Sequence, residues 1–345
     1  MPFKKPSKIT IKDVARACKV STQTVSRVIN QRPDVSPETR AAVEKTIAEL
    51  GYMPSALARS LVQQRSFTLG VIISGLKQIG IAKTLNGIAE QCEALNYALL
   101  MKYLPRFDTP DIVPVIETLM THHVDGIIFA GPEWNENIKT AQAQIPANCP
   151  PIIFLKCLPT PNYTTISIDN YGGAYAAVDY LISLGRDRIG LIAGPLEWLE
   201  ARKRKQGWED AMKNAGVEVS ARQWSAGDWS SASGTAAMTE IMQKYPEINA
   251  VFASNDQMAL GVLHYAHMHG LRVPEDLAVI GFDNLIETPY FIPPLTTVEQ
   301  PLGELGTQAV KTLVEQIESE GADRVVNTLV LNTHLVVRES TPKKR

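Results

Sequence analysis

Residues 10–61 read TIKDVARACKVSTQTVSRVINQRPDVSPETRAAVEKTIAELGYMPSALARSL, and how this stretch is parsed decides how the rest of the chain is understood. Thr10 suits an N-cap, Asp13 three residues on completes a capping-box-like start, and Val14, Ala15 and Cys18 define one apolar face. A first helix over residues 11–19 follows. Val20-Ser21 is then a tight turn, and Ser21 caps a second helix over residues 22–30, whose Val25, Val28 and Ile29 point inward at i, i+3, i+4. That spacing turns Thr22, Gln23, Ser26 and Arg27 outward. Gln can pair with adenine, Arg with guanine, and a Thr methyl can meet a thymine methyl, so this outward face has the chemistry of a helix laid in a major groove. Ser36-Pro37-Glu38 opens a third helix that continues through Val43, Ile47 and Leu50 to Gly51, a natural left-handed cap, and its apolar face closes a three-helix core. Ser55 can start one more short helix, residues 56–63, with Leu57 and Leu61 on one side. Alone it is too short to be stable.

Charge separates this stretch from the remainder. The net charge of −2 splits into a surplus of +7 over residues 1–65, with 12 Lys+Arg against 5 Asp+Glu, and −9 beyond, with 22 against 31. Such asymmetry is the footprint of a nucleic-acid module joined to a body that repels phosphate. The length of 345 residues suits a small module attached to a larger two-part body, and 45% apolar residues are enough for several cores. No apolar run approaches the roughly 18–20 residues a membrane helix needs. The opening MPFKKPSK has no apolar segment behind its lysines, so no secretory signal is expected. The cysteines, Cys18, Cys92, Cys149 and Cys157, form no CxxC and read as small buried hydrophobes, which makes a reducing cytoplasm the expected location.

From Phe67 onward, short apolar strands alternate with amphipathic helices. Strands are expected at 68–74, 97–103, 126–131, 151–156, 165–170, 188–194, 250–256 and 277–284, with helices such as 84–96, 171–184, 230–245 and 258–269 between them. Val/Ile-rich runs separated by helices mean parallel sheets covered on both faces, and eight strands fit two doubly wound domains better than one.

The run DVARACKVSTQTVSRVINQ, followed by VSPETR, ELGYMPSALARSL, GPLEWLEARKRKQGW, GDWSSASG, ASNDQMALGVL, VIGFDN and IPPLTTVEQP, resembles the lactose-repressor (LacI/GalR) family of transcription regulators along essentially the whole chain. The resemblance implies an all-α helix-turn-helix head at 8–54 and a hinge helix and linker at 55–66. It further implies an α/β periplasmic-binding-protein-like (type I) core of two doubly wound subdomains, one of 67–167 with 299–325, the other of 168–298 with 326–340. Dimerisation through the core is also implied. No heptad repeat follows Arg338, so a dimer is expected rather than the coiled-coil tetramer of some relatives.

By the same resemblance, Thr22, Gln23 and Arg27 would read bases, while Thr10, Ser21, Thr24, Ser26 and Asn30 would contact phosphates, and Leu61 would wedge into the minor groove. Effector-binding positions carry over as Arg204, Trp229, Asn255 and Asp283, with Ser74 a weaker member. Arg, Asn and Asp supply donors and acceptors for vicinal hydroxyls, and Trp offers a flat face to a sugar ring. Lys156 stands where the pattern has an aspartate, removing an acceptor and pointing toward an anionic or differently substituted sugar; Trp198 and Trp134 add aromatic bulk. The plain alternative for Asn255 and Asp283 is that they cap helices at strand ends.

The expected function is a sequence-specific regulator, a repressor bound to a pseudo-palindromic operator and released by a small-molecule effector, sugar-like, in the cleft between subdomains. The alternatives are a ligand acting as corepressor, or a sugar-binding or enzymatic protein on a Rossmann-like body. No GxSxG, P-loop or GxGxxG follows a strand, so neither catalysis nor a cofactor is expected. His264, His267 and His269 do not share one helix face, so no metal is expected there.

Overall fold

The structure is a computed structural model that describes residues 9–29, 32–52, 65–109, 111–134, 137–319 and 326–343. The chain divides into two compact units, Met1–Phe67 and Thr68–Arg345. Asn30, Leu61 and the expected hinge helix at 56–63 lie outside the described residues.

In the first unit, α1 (Ile11–Cys18), α2 (Thr22–Ile29) and α3 (Pro37–Leu50) pack around Val14, Ala15, Val25, Val28 and Val43. Their ends follow from side-chain chemistry. The Thr10 backbone N–H and hydroxyl both donate to Asp13, at 2.9 and 2.7 Å, and α1 stops one residue earlier than expected because Lys19 turns left-handed, at φ 54°. Ser21 Oγ accepts the Thr24 N–H at 3.0 Å, Ser36 Oγ accepts the Thr39 N–H at 3.3 Å, and Gly51 closes α3 at φ 61°.

The second unit opens with β1 (Thr68–Ser74), α4 (Ile79–Ala94), β2 (Ala98–Leu104), α5 (Val113–Thr121), β3 (Gly126–Phe129), α6 (Asn137–Gln142), β4 (Ile152–Leu155) and β5 (Thr164–Ile168). It continues through α7 (Asn170–Ser183), β6 (Ile189–Ala193), α8 (Leu199–Asn214), β7 (Trp224–Ala226), α9 (Ser231–Lys244), β8 (Ala250–Ala253), α10 (Asp256–Met268), β9 (Ala278–Asp283) and β10 (Thr296–Glu299). The remaining elements are α11 (Leu302–Glu318), β11 (Thr328–Leu331) and β12 (His334–Val336). Two six-stranded sheets result, ordered β11-β5-β4-β3-β1-β2 and β12-β10-β9-β8-β6-β7. Every pairing is parallel except β10 with β12. The expected strands at 97–103 and 151–156 shorten or shift by a few residues, and β7, β10, β11 and β12 join the eight that periodicity reveals.

The chain crosses from one sheet to the other three times: between β5 and α7, between β10 and α11, and between β11 and β12. The last crossing corrects the expected boundary. Residues 326–340 are expected together in the second half, yet 328–331 pair in parallel with 165–168 of β5, so β11 belongs to the first sheet and only the chain after it joins the second. A three-crossing connection of this kind lets two sheets shift relative to each other while their central strands stay intact. No helix among the described residues is long and apolar enough to cross a membrane.

Helices α4 and α11 touch where glycines face each other. A Cβ on Gly87 would lie 2.1 Å from the Gly303 carbonyl oxygen, so backbone meets backbone with no flexible side chain to yield. Gly87→Ala should therefore destabilise the second unit by about 1–3 kcal/mol through overpacking. Urea unfolding of the full chain measures the loss.

Candidate functional site

The carboxyl ends of the strands place a cleft between the two sheets, where ligands of open α/β folds bind. It spans about 480 Å³, part of it open to solvent, and is lined by Gln78–Ile81 at the start of α4, Lys156 after β4, Trp198, Glu200 and Arg204 of the α8 region, Trp229, Asn255, Gln257, Asp283, Gln300 and Leu302. Six of the seven sequence-derived effector positions meet here. Ser74 does not: it is buried at the end of β1, and a Cβ on Gly131 would sit 3.4 Å from its hydroxyl.

Arg204 is the most constrained member. Its Nε donates to Asn170 Oδ1 at 2.8 Å, its Nη1 to the Ser254 carbonyl, and it stands 3.7 Å from Asp283 Oδ1. The guanidinium lies 3.8 Å from the centroid of the Phe282 ring and 5.7 Å from that of Trp229. Asp283 also accepts from Gln300 Nε2 at 2.5 Å, which brings in the second crossing. Burial pushes the Asp283 carboxyl up, against the opposing pull of Arg204 and Gln300. Asn255 combines both readings offered for it. Its Oδ1 accepts the Met258 N–H at 2.8 Å and so caps α10, while its Nδ2 donates to the Trp229 carbonyl at 2.9 Å and to Gln257 Oε1 at 2.8 Å on the cleft wall.

Three cleft residues hold left-handed backbones, Lys156 at φ 57°, Trp229 at φ 75° and Asp283 at φ 114°, which is the kind of local strain that clusters at working sites. Trp229 folds over Gly194, where a Cβ would come within 2.1 Å of the indole. Its Nε1 is buried with no hydrogen-bond partner, and so is Oε2 of Glu200. Buried polar atoms are nearly always satisfied, so these two cleft residues each keep one polar atom that the protein itself does not pair.

The outer edge of the cleft is closed by aromatics from both halves. Phe107 and Trp134 stack at 5.9 Å, Phe107 meets Trp198 edge-on at 4.7 Å, and Trp198 meets Trp229 at 5.7 Å. Trp134 and Trp198 form an isolated antiparallel bridge, with the Leu199 N–H donating to the Glu133 carbonyl at 3.1 Å. The sequence indicates Trp134 and Trp198 as aromatic bulk near the pocket, but not Glu200, Gln257 and Gln300, which the fold adds to the lining. Glu200 was detectable: four residues before Arg204, it shares a helix face with it.

In the first unit, Thr10, Thr22, Gln23 and Arg27 are exposed, Thr24 and Ser26 half-buried. Ser21, also exposed, shares a 2.9 Å contact with Thr24 through their hydroxyls. Arg27 Nη1 lies 3.3 Å from Asp34 Oδ2, both largely exposed, so the pair positions the guanidinium at little energetic expense. Of the histidines, His269 stacks on Tyr265 at 3.9 Å, and no group of three His, Cys, Asp or Glu among the described residues could hold a metal ion.

A compact three-helix head and a two-sheet ligand-binding body define a DNA-binding regulator with a small-molecule receptor attached. Comparison with known proteins agrees. Residues 10–55 match the bacterial regulatory proteins of the lacI family, and 178–341 the periplasmic binding protein-like domain. The chain is 33% identical to the HTH-type transcriptional repressor CytR of Escherichia coli K12 across 98% of both chains. It is similar to the lac repressor dimer bound to operator and the anti-inducer ONPF, with a TM-score of 0.84 and 30% identity over 97% of this chain and 99% of that one. It is also similar to a CelR–cellobiose complex, with a TM-score of 0.69 and 32% identity over 96% and 99% of the two chains. The chain belongs to the lacI family of bacterial regulatory proteins.

Beneath the cleft, Asp256 is fully buried, accepting from the Leu285 N–H at 2.8 Å and Thr297 Oγ1 at 2.5 Å. Burial, joined by the negative charge of Asp283, pushes its carboxyl up to about 8. The folded chain thus holds a proton that the unfolded chain has released, and this contribution to stability shrinks as pH rises from about 4 to about 8. Asp256→Asn should flatten that slope: the excess of Tm at pH ~5 over pH ~8 becomes smaller than in the wild type, as read by calorimetry.

Proposed function

We propose that the chain is a repressor whose dimer holds a pseudo-palindromic operator with two copies of α2 and lets go when a small hydroxylated molecule binds the cleft. The supporting observation is the convergence of Arg204, Asp283, Asn255 and Trp229 at the strand ends, with the Trp229 indole N–H lacking a partner. Thr22, Gln23 and Arg27 are the proposed base readers, with Thr10, Ser21, Thr24, Ser26 and Asn30 on phosphates and Leu61 in the minor groove. Lys156, Trp198, Arg204, Trp229, Asn255 and Asp283 are the proposed effector contacts. Dimerisation is supported by Ile286, Tyr290 and Ile292, exposed by 80%, 83% and 92% within one loop, an apolar patch of the kind that partners cover. The protein acts without turnover, in the cytoplasm.

Release requires the effector to bind one arrangement of the two sheets better than the other, and a coupling of about 1–3 kcal/mol is usual. By linkage, operator binding weakens effector binding by the same factor.

Arg27→Ala should cost about 1–3 kcal/mol of operator affinity and relax base preference at its contact, measured by gel shift against operator variants. Unchanged preference would remove Arg27 from the reading set. Arg204→Lys, which keeps a positive charge against Asp283 but loses the planar fork, should retain salt-dependent operator binding while effector response falls away; a normal response would rule out the cleft.

A further inference from the structure

Two buried charge couples line the cleft, and they differ. Arg204 and Asp283 stand 3.7 Å apart, and each has hydrogen bonds of its own, Arg204 to Asn170 and Ser254 and Asp283 from Gln300. Lys156 and Glu200 are equally buried, at 9% and 8% exposure, but no ion pair within 4.0 Å joins them. Lys156 Nζ has a single long bond, 3.4 Å to the Gly80 carbonyl, and Glu200 Oε2 has no partner. Burial disfavours the charged form of each side chain, and neither has the close partners that would offset it. Both residues also line a neighbouring pocket that opens to solvent, so the couple stands between the cleft and its neighbour.

The couple constrains what can lie against it. A phosphate or carboxylate would satisfy Lys156 but oppose Glu200, and an amine would do the reverse. A hydroxyl accepts from one and donates to the other. The wider lining agrees: Lys156 and Arg204 stand against Glu200 and Asp283, so the cleft wall carries as many basic as acidic side chains. Lys156 taken alone points toward an anionic or differently substituted sugar; Glu200, on the same cleft wall from α8, restores the acceptor that the lysine removes.

We propose that the Lys156–Glu200 couple selects an uncharged effector, which bridges the two side chains through adjacent hydroxyls, over sugar phosphates and sugar acids. This rests on the effector-cleft reading above and narrows it to a chemical class. Glu200 becomes a specificity-determining contact, and the bridging hydroxyls replace the hydrogen bonds that the two side chains lack.

The test is calorimetric binding to the full chain of uncharged probes (D-ribose, cellobiose, lactose, cytidine) beside their charged counterparts (ribose 5-phosphate, cellobionate, lactobionate, cytidine monophosphate). Operator gel shifts run in parallel, so that loss of the repressor reading is seen separately as absent operator binding. The expected result is that the tightest probe is uncharged and exceeds its charged counterpart by at least tenfold. Glu200→Gln should weaken that probe at least tenfold while the charged counterpart gains, a reversal that loss of packing would not produce. A charged probe binding tightest, binding by none of the uncharged probes, or an affinity in Glu200→Gln within twofold of wild type would each overturn the proposal. Should that variant not fold, the wild-type ratio of uncharged to charged binding decides alone.

Discussion

Arg204 carries a charge that has been taken out of water, and much of the cleft is arranged around that cost. The guanidinium is tied to Asn170 at the first crossing, to the Ser254 carbonyl beyond β8 and to Asp283 at the end of β9, with Phe282 beneath it. Removing one partner would leave an uncompensated buried charge, which is far more damaging than never having buried the pair. The ends of three separate elements are therefore held in register by one side chain. The left-handed backbone of Asp283 is what aims its carboxylate there, and Gln300 extends the network into the second crossing.

The second couple makes the cleft responsive. Lys156 comes from the end of a strand in the first sheet and Glu200 from the helix before β7 in the second half, so a molecule bridging them bonds to both halves at once. Such a ligand has differential affinity for sheet arrangements in which the two side chains stand the right distance apart, and differential affinity is the only means by which binding shifts a conformational equilibrium. The aromatic chain from Phe107 through Trp134 and Trp198 to Trp229 adds contact across the same gap. The wholly buried strands β3, β4, β6, β8 and β9 behind it keep each half rigid.

Legibility in the sequence follows how local each feature is. Caps and helical periodicity marked the three head helices because Thr10, Ser21, Ser36 and Gly51 act within a turn of themselves. The continuous apolar strands were equally plain, being buried on both faces. WSA at β7, TTVE at β10 and TLVL at β11 were harder: they are short and half polar, and their strand state is imposed by pairing partners far away in the chain. β11 in particular joins the half that the sequence does not indicate, since nothing within four residues tells which of two sheets has an open edge beside it.

By itself, then, the sequence determined the class: the charge split, the helix-turn-helix, the alternating α/β body and six of the fourteen cleft residues are written in patterns that repeat over a few residues or match a family's order. Only the tertiary structure decided which charges face which. Glu200 is an ordinary acid in a helix dense with lysine and arginine until α8 packs it opposite Lys156, and Asn255 is a helix cap until Trp229 closes over it. Spacing along a chain sets which residues share a face. Which face confronts which, and therefore what net charge and hydrogen bonds a ligand meets, depends on contacts between residues tens of positions apart.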